Sequence, residues 1–457
     1  MAYKLDAGQQ WLRDIDTNEL VGIKDSVDGE ERMLVFAETN PVTGESRILG
    51  PTGRPNTLAI IGDSICSSWR SVGATISERN PKGFLSWALA LSGERLTVVS
   101  DQSLGGSQIL AAGAGTQIST TQLNAAIASG AGHILIQGGI NDIFQAGVPS
   151  DQLKAGWTDM LDAAVAAGMQ VWLAITHTPN SAYSSYTVAG QGKMLEVNEW
   201  LRNQVATTYA RSNVTVVDLA SIVVDPTSAT ASAKTNYLYD NLHPRNLAAQ
   251  AMGAELARLW SREIPEVPQL LSSNADNKTF SASSTNILDN GLMVAGTTLA
   301  TGFTSSLTGT GATTDSLVAR ADGFGNDQQR VITFGANNDS VRMLTSDLKA
   351  RISDGDTIVM ECEVTPSAMT ATRAIRASLT LTGASSSLTA TTMQLDATND
   401  LAMVTAQTHV LKTNPITVNL ATLGALTIVQ GAVAAFGSGA GGVTLKIGRW
   451  SIRKITP

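Results

Sequence analysis

Between residues 56 and 265, short apolar runs alternate with stretches of helical period. The runs 58–61, 96–100, 134–137, 171–176 and 214–219 are short and rich in β-branched residues, which predicts buried strands. Between them, Leu153, Trp157, Leu161 and Ala164 recur at steps of three and four, one face of a helix. Met194, Val197, Leu201 and Val205 repeat the pattern, and Leu247, Ala251, Ala254 and Leu256 predict a last helix. Strand and helix in alternation predict a parallel sheet with helices on both faces. The right-handed crossover rule makes this a flavodoxin-like, doubly wound α/β sandwich.

The pattern differs on either side. Residues 1–55 are polar and turn-rich, with short strands predicted at 19–23 and 33–36 and an Asp28-Gly29 hairpin signal between them. So small a segment buries too little surface to fold alone, so it is expected to dock on the next domain or on another copy of the chain. Residues 50–55 read as a linker, and 266–284, with a polar stretch from Ser272 to Ser284, as a second one. From 285 to 457 Ser, Thr, Ala and Gly dominate and helical periods disappear. Alternating segments at 357–364, 377–381, 388–395 and 443–447 predict an all-β, jelly-roll-like sandwich. The expected division is therefore 1–55, 56–265, 266–284 and 285–457.

Length and composition narrow the function. A chain of 457 residues with 43% hydrophobic content carries more than one core. A formal charge of −8 without a basic stripe argues against nucleic acid as a partner. Cys66 and Cys362 have neither a disulfide framework nor metal-ligand spacing. The amino terminus shows no apolar signal region, and no run approaches the roughly 20 residues of a membrane span.

The candidate chemistry lies where predicted strands end. The first run stops at Gly62-Asp63-Ser64, which puts the Ser64 hydroxyl at the strand's carboxyl end, where open α/β sheets hold their sites. An acyl-transferring serine needs a base and donors for the oxyanion. The chain has four histidines. His133 precedes a strand and His409 lies in the β region. His177 follows the fourth strand, and His243 follows the fifth with Asp240 three residues before it, close enough to fix its tautomer. His243 therefore ranks first as base and Asp240 as its orienter. The second strand leads into Gly105-Gly106 and the third into Gly139-Ile140-Asn141-Asp142. The N–H groups of Ser64 and Gly106 and the Asn141 amide form a candidate oxyanion hole.

Over about 57–262 these motifs resemble the SGNH, or GDSL esterase, superfamily. Gly62-Asp63-Ser64-Ile65 matches its first block and implies Ser64 as nucleophile. The second block places its glycine donor on Gly106, with Gly105 as the alternative. Gly139-Ile140-Asn141-Asp142 matches the third block and Asp240–His243 the last. The chain departs from the family in carrying Asp101 where the second block usually begins with Asn. The resemblance implies a two-step esterase with no metal or organic cofactor.

The layout, a catalytic domain between a short polar segment and a Ser/Thr/Gly-rich β domain, is similar to phage tail-fibre or tailspike esterases that deacetylate bacterial surface polysaccharide. That resemblance implies a virion protein acting outside the cell, attached through residues 1–55, without membrane insertion, and a homo-oligomer, a trimer by analogy. Two other functions fit the residues. One is a lipase or thioesterase with Trp69, Phe84 and Phe144 lining an acyl pocket; the other is a catalytically idle glycan-binding adhesin. The β domain is read as an oligomerisation or glycan-binding module, and Asp322, Asn326 and Asp327 as either a plain turn or a Ca²⁺ loop.

Overall fold

The computed structural model describes residues 54–70, 79–209, 213–228, 230–264, 273–274, 286–393 and 406–455 in full, and a few further strands by their backbone. By contact the chain divides into two compact units, Met1–Ser68 with Arg95–Glu266, and Trp69–Glu94 with Val267–Pro457. A continuous 56–265 is expected from the sequence; Trp69–Glu94 clusters instead with the second unit. The proposed linkers at 50–55 and 266–284 lie largely outside the described residues.

The first unit opens with five antiparallel strands in sequential order, β1 Tyr3–Leu5, β2 Trp11–Asp14, β3 Leu20–Val27, β4 Glu30–Thr39 and β5 Ser46–Leu49. Val27 pairs with Glu30, so β3 and β4 are a hairpin across the Asp-Gly step. A parallel sheet follows: β6 Thr57–Ile61, β7 Thr97–Asp101, β8 His133–Gln137, β9 Gln170–Ala174 and β10 Val214–Val217. Its order is β10-β9-β8-β6-β7, the flavodoxin-like order in which the chain reverses direction beside the first strand. Val171, Trp172 and Leu173 on β9 are all fully buried. Successive side chains point to opposite faces, so both faces of this strand are covered.

The covering helices include Ser150–Ala166, Val188–Trp200 and Asn246–Glu263. Leu153, Trp157, Leu161 and Ala164 are buried, as are Met194, Val197, Leu201 and Val205. The last helix differs from its expected face. Leu247 is exposed, and the buried ridge runs through Ala249, Met252, Leu256 and Trp260, with Trp260 edge-on to Trp172. Alanine fits either face, so the small residues left the phase of this helix open, and the one large aromatic set it. Among the described residues, no helix is long and apolar enough to cross a membrane.

The second unit is β-rich and antiparallel. Its strands are β11 Asn277–Lys278, β12 Ser284–Asn286, β13 Phe303–Thr308, β14 Ala312–Ala319, β15 Asn326–Phe334, β16 Asn337–Thr345, β17 Thr357–Gly383, β18 Ser387–Thr392, β19 His409–Lys412, β20 Ile416–Thr417 and β21 Leu426–Ile455. Two very long strands, β17 and β21, pair along most of their length and change partners on their outer edges. β21 meets β16, β15 and β12 in turn, while β17 meets β20, β19 and β18. Register shifts at 367–374 mark the bends, and Ala368 and Ala371 take positive φ there. The helix Phe84–Leu91 belongs to this unit and buries every residue from Phe84 to Ala90. Trp87 meets His409 edge-on, and Arg79 is paired with Glu94.

Candidate active site

The nucleophile turn is built by a carboxylate that is not itself a candidate reactant. Asp63 caps the short helix Ser64–Ser67, its Oδ1 accepting from the Ile65 N–H at 2.9 Å. The cap holds Ser64 at the helix start, with its hydroxyl beyond the end of β6. Asp63 is fully buried, and burial pushes its pKa up to about 6 against the N–H of Ile65 and the Gln137 amide that favour its charged form. Gly62 is required by space: a Cβ there would lie 2.8 Å from the Gln137 carbonyl oxygen and 2.8 Å from the Cys66 Cβ.

Ser64 Oγ lies 2.7 Å from His243 Nε2, and His243 Nδ1 lies 2.7 Å from Asp240 Oδ2. A carboxylate only accepts, so Nδ1–H donates to Asp240 and Nε2 is left to accept the Ser64 proton. Asp240 also accepts from the N–H groups of His243 at 2.7 Å and Leu242 at 3.1 Å. Partial burial raises the Asp240 pKa, but these bonds to His243 and Leu242 outweigh it and hold the carboxyl below its usual range. The loop is tight. Tyr239 N–H donates to the His243 carbonyl at 3.0 Å, Leu238 bridges Pro244, and Asn241 turns the chain at φ +68°.

His177, the weaker candidate for the base, has a different place. It is fully buried and its Nε2–H donates to the Leu242 carbonyl at 2.8 Å, one residue before His243. Burial pushes its pKa down to about 4, so it stays neutral and holds the loop. Asn180 N–H donates to the Asn241 carbonyl at 2.8 Å from the same segment.

The candidate oxyanion donors converge on Ser64 through the loop after β7. A Cβ on Gly105 would stand 3.7 Å from the Ser64 Cβ, so this loop runs alongside the hydroxyl. Leu104 N–H donates to the Gly62 carbonyl at 3.0 Å, which ties the two turns together. Among the described residues, no protein acceptor takes the N–H of Ser64, Gly105 or Gly106. The Asn141 amide donates to the Ser107 carbonyl at 3.0 Å and accepts from Gln145, which leaves one N–H uncommitted. Asp101 accepts from both the N–H and the hydroxyl of Ser103 and so closes the turn after β7.

Two residues outside the motifs, Gln122 and Gln137, and one within them, Asp142, complete the framework. Gln122 accepts from the Gly62 N–H at 2.7 Å and donates to the Gly62 carbonyl, the Ser107 hydroxyl and the Thr116 hydroxyl. Gln137 donates to Asp63 at 3.1 Å and accepts from the Cys66 N–H at 3.2 Å. Asp142 accepts from the N–H groups of Ile109 and Leu110 at 2.9–3.0 Å and so shapes the loop beyond Gly106. Gln137 had a signal, an amide ending an apolar strand. Gln122 had none: it ends the π-helical turn Ile118–Gln122, and nothing in the local sequence marks it.

Residues 60–251 match the model of the GDSL-like Lipase/Acylhydrolase family. The matched segment contains Ser64, Asp240 and His243. No curated protein matches the chain. Solved structures similar to it include a GDSL-like lipase from Bacteroides thetaiotaomicron, 13% identical over 45% of this chain and 88% of its own, with a TM-score of 0.36. Others are a carbohydrate esterase of family 3 from Talaromyces cellulolyticus (16% identical, 46% of this chain, 99% of that one, TM-score 0.34) and a lipolytic G-D-S-L family protein from Veillonella parvula (16%, 45%, 98%, 0.33).

The remaining sequence candidates have structural partners. Phe84 is fully buried in its helix, and Phe144 stacks on Tyr186. Trp69 is buried in the second unit. Asp322 and Asp327 are both bound by Arg320, and the Asn326 amide donates to the Met293 carbonyl. His133 accepts from the Trp172 indole at 3.3 Å inside the core.

Proposed function

We propose that the chain is a serine esterase that removes O-acetyl groups from polysaccharide, with Ser64 as nucleophile, His243 as base and Asp240 as orienter. The observation that carries this is the unbroken chain Ser64 Oγ, His243, Asp240, with both links at 2.7 Å. His243 Nε2 takes the Ser64 proton as Oγ bonds to the ester carbonyl carbon. The oxyanion is met by the N–H groups of Ser64 and Gly106 and by the Asn141 amide, with the Gly105 N–H adjacent. The C–O bond to the alcohol breaks, and His243 returns its proton to the departing oxygen. Water then repeats the sequence on the acyl-enzyme and frees the acid.

The acetylated-saccharide substrate and the setting on a phage particle are supported by the layout of the chain, a GDSL-like segment followed by a Ser/Thr/Gly-rich antiparallel unit. In that setting residues 1–55 attach the protein and the β-rich unit supports an oligomer or binds glycan. A lipase reading requires an apolar acyl pocket, and its residue candidates Phe84 and Phe144 are buried or stacked as core.

Ser64→Ala and His243→Ala are each expected to lower p-nitrophenyl acetate hydrolysis by about 10⁴-fold or more. Circular dichroism should be unchanged. Activity within tenfold of the native chain in either variant would sink the triad. Acetate release from O-acetylated polysaccharide, compared with octanoate release from a lipid ester, tests the substrate class.

A further inference from the structure

Tyr239 stands next to the catalytic machinery and has no part in the mechanism above. Its N–H pairs with the His243 carbonyl, so the two residues face one another across the Asp240–Leu242 turn with side chains on the same side. Their rings stack, with centroids 5.6 Å apart and planes 20° from parallel. Tyr239 nevertheless stays 42% exposed, one of two aromatic side chains, with Phe324, among the exposed large apolar residues described.

Mechanism decides which half of an ester meets this ring. His243 Nε2 must return its proton to the leaving oxygen, so the alcohol half lies against the imidazole. The acyl half lies toward the Ser64, Gly106 and Asn141 donors. We propose that Tyr239 is the specificity-determining wall for the alcohol half of the substrate and that the group it takes is a saccharide ring. This rests on the esterase reading and names the part of the substrate that the site recognises. A tyrosine offers an apolar ring to the C–H face of a sugar. Asp240 pairs with His243, and the same loop carries two cations, Lys234 over the Tyr237 ring and Arg245 on the Leu238 carbonyl.

The test uses two acetates with one acyl group and different alcohols, glucose pentaacetate and ethyl acetate, on the full-length chain. Deacylation is common to both, so kcat/KM compares the acylation steps alone. Tyr239→Ala should lower kcat/KM on glucose pentaacetate about tenfold, the size of one stacking contact, and on ethyl acetate less than twofold. Tyr239→Phe should keep most of the discrimination, and Tyr239→Leu should behave as Ala. Equal losses on both esters would show that Tyr239 only steadies His243 and would overturn the proposal, as would no loss on either. A native chain that cleaves ethyl acetate but not glucose pentaacetate would overturn the saccharide wall and leave the triad standing. A native chain that cleaves neither would overturn the esterase reading as well.

Discussion

The parallel unit and the antiparallel unit both bury polar side chains, and they use them differently. In the parallel unit the parallel sheet has strands of four or five residues, and the chain leaves each at the same edge of the sheet. Loop backbone there has no ladder to satisfy it, so side chains do the work. Gln122 holds Gly62, Gln137 holds the turn at Asp63 and Cys66, and Asp142 holds Ile109 and Leu110. In the antiparallel unit β17 and β21 run for 27 and 30 residues and satisfy their own backbone by pairing. There some buried polar groups bond to one another across strands, while others, such as Asp339 and Gln328, hold backbone. Arg330, 1% exposed, faces Asp315 in the β14–β15 register and binds both its oxygens. One unit places its polar interior around a reactive edge, and the other uses it to fix strand register.

The sharpest way to break this division is at Arg330. Replacement by Met leaves the Asp315 carboxylate, 13% exposed, without its cation. Removing one partner of a buried pair typically costs about 3–5 kcal/mol. Urea denaturation of Arg330→Met should show a loss of that size, while kcat on p-nitrophenyl acetate at low denaturant stays at the native value. A proportional fall in kcat would mean that the two units do not divide the labour in this way.

The converse substitution is Gln122→Leu in the parallel unit. It keeps the volume but strands the buried Gly62 N–H, while the Gly62 carbonyl keeps its bond from Leu104. The turn that aims Ser64 then loses its fixed end. A misplacement of about 1 Å at a reacting group can cost about 100-fold in rate. Stopped assays should show kcat lowered by about that factor with KM little changed. An unchanged kcat would remove Gln122 from the site's framework.

The same contrast governs what could be seen in the sequence. Five short strands were legible within a residue or two, because each is a compact apolar run ending in Gly or a polar turn. The motif residues Ser64, Asp240 and His243 were legible because the sheet order brings strand ends to one edge. The long strands were not. The runs 357–364 and 377–381 read as separate strands, yet both lie in β17, since the bulges around Ala368 and Ala371 break the two-residue period. Gln122 was invisible for a different reason: its partners, Gly62 and Ser107, are 60 and 15 residues away, and nothing local marks such a bond.

A smaller effect distinguishes the units by pH. Burial pushes His177 down to about 4 and His133 to about 3 in the parallel unit, and His409 to about 4 in the antiparallel one. Each folded pKa lies below the unfolded value of 6.5, so the unfolded chain takes up protons first as the pH falls. Stability is therefore lost from about pH 6.5 down to about 4 for His177 and His409 and to about 3 for His133, and levels off below. Between pH 7 and 5 each of these histidines costs about 2 kcal/mol. Asp63 works the other way: its folded pKa of about 6 exceeds the ordinary 3.8, so acidification from pH 6 recovers stability. It returns about 1 kcal/mol over the same interval. His409→Leu should flatten the acid loss of the antiparallel unit, read by urea titration at pH 7 and 5, and leave kcat at pH 7 alone. His177→Leu should flatten the loss in the parallel unit and also lower kcat, because the Leu242 carbonyl beside His243 loses its donor. If both variants flatten the titration and neither changes kcat, His177 is a core histidine like His409, and the polar interior of the parallel unit reaches the site through fewer residues.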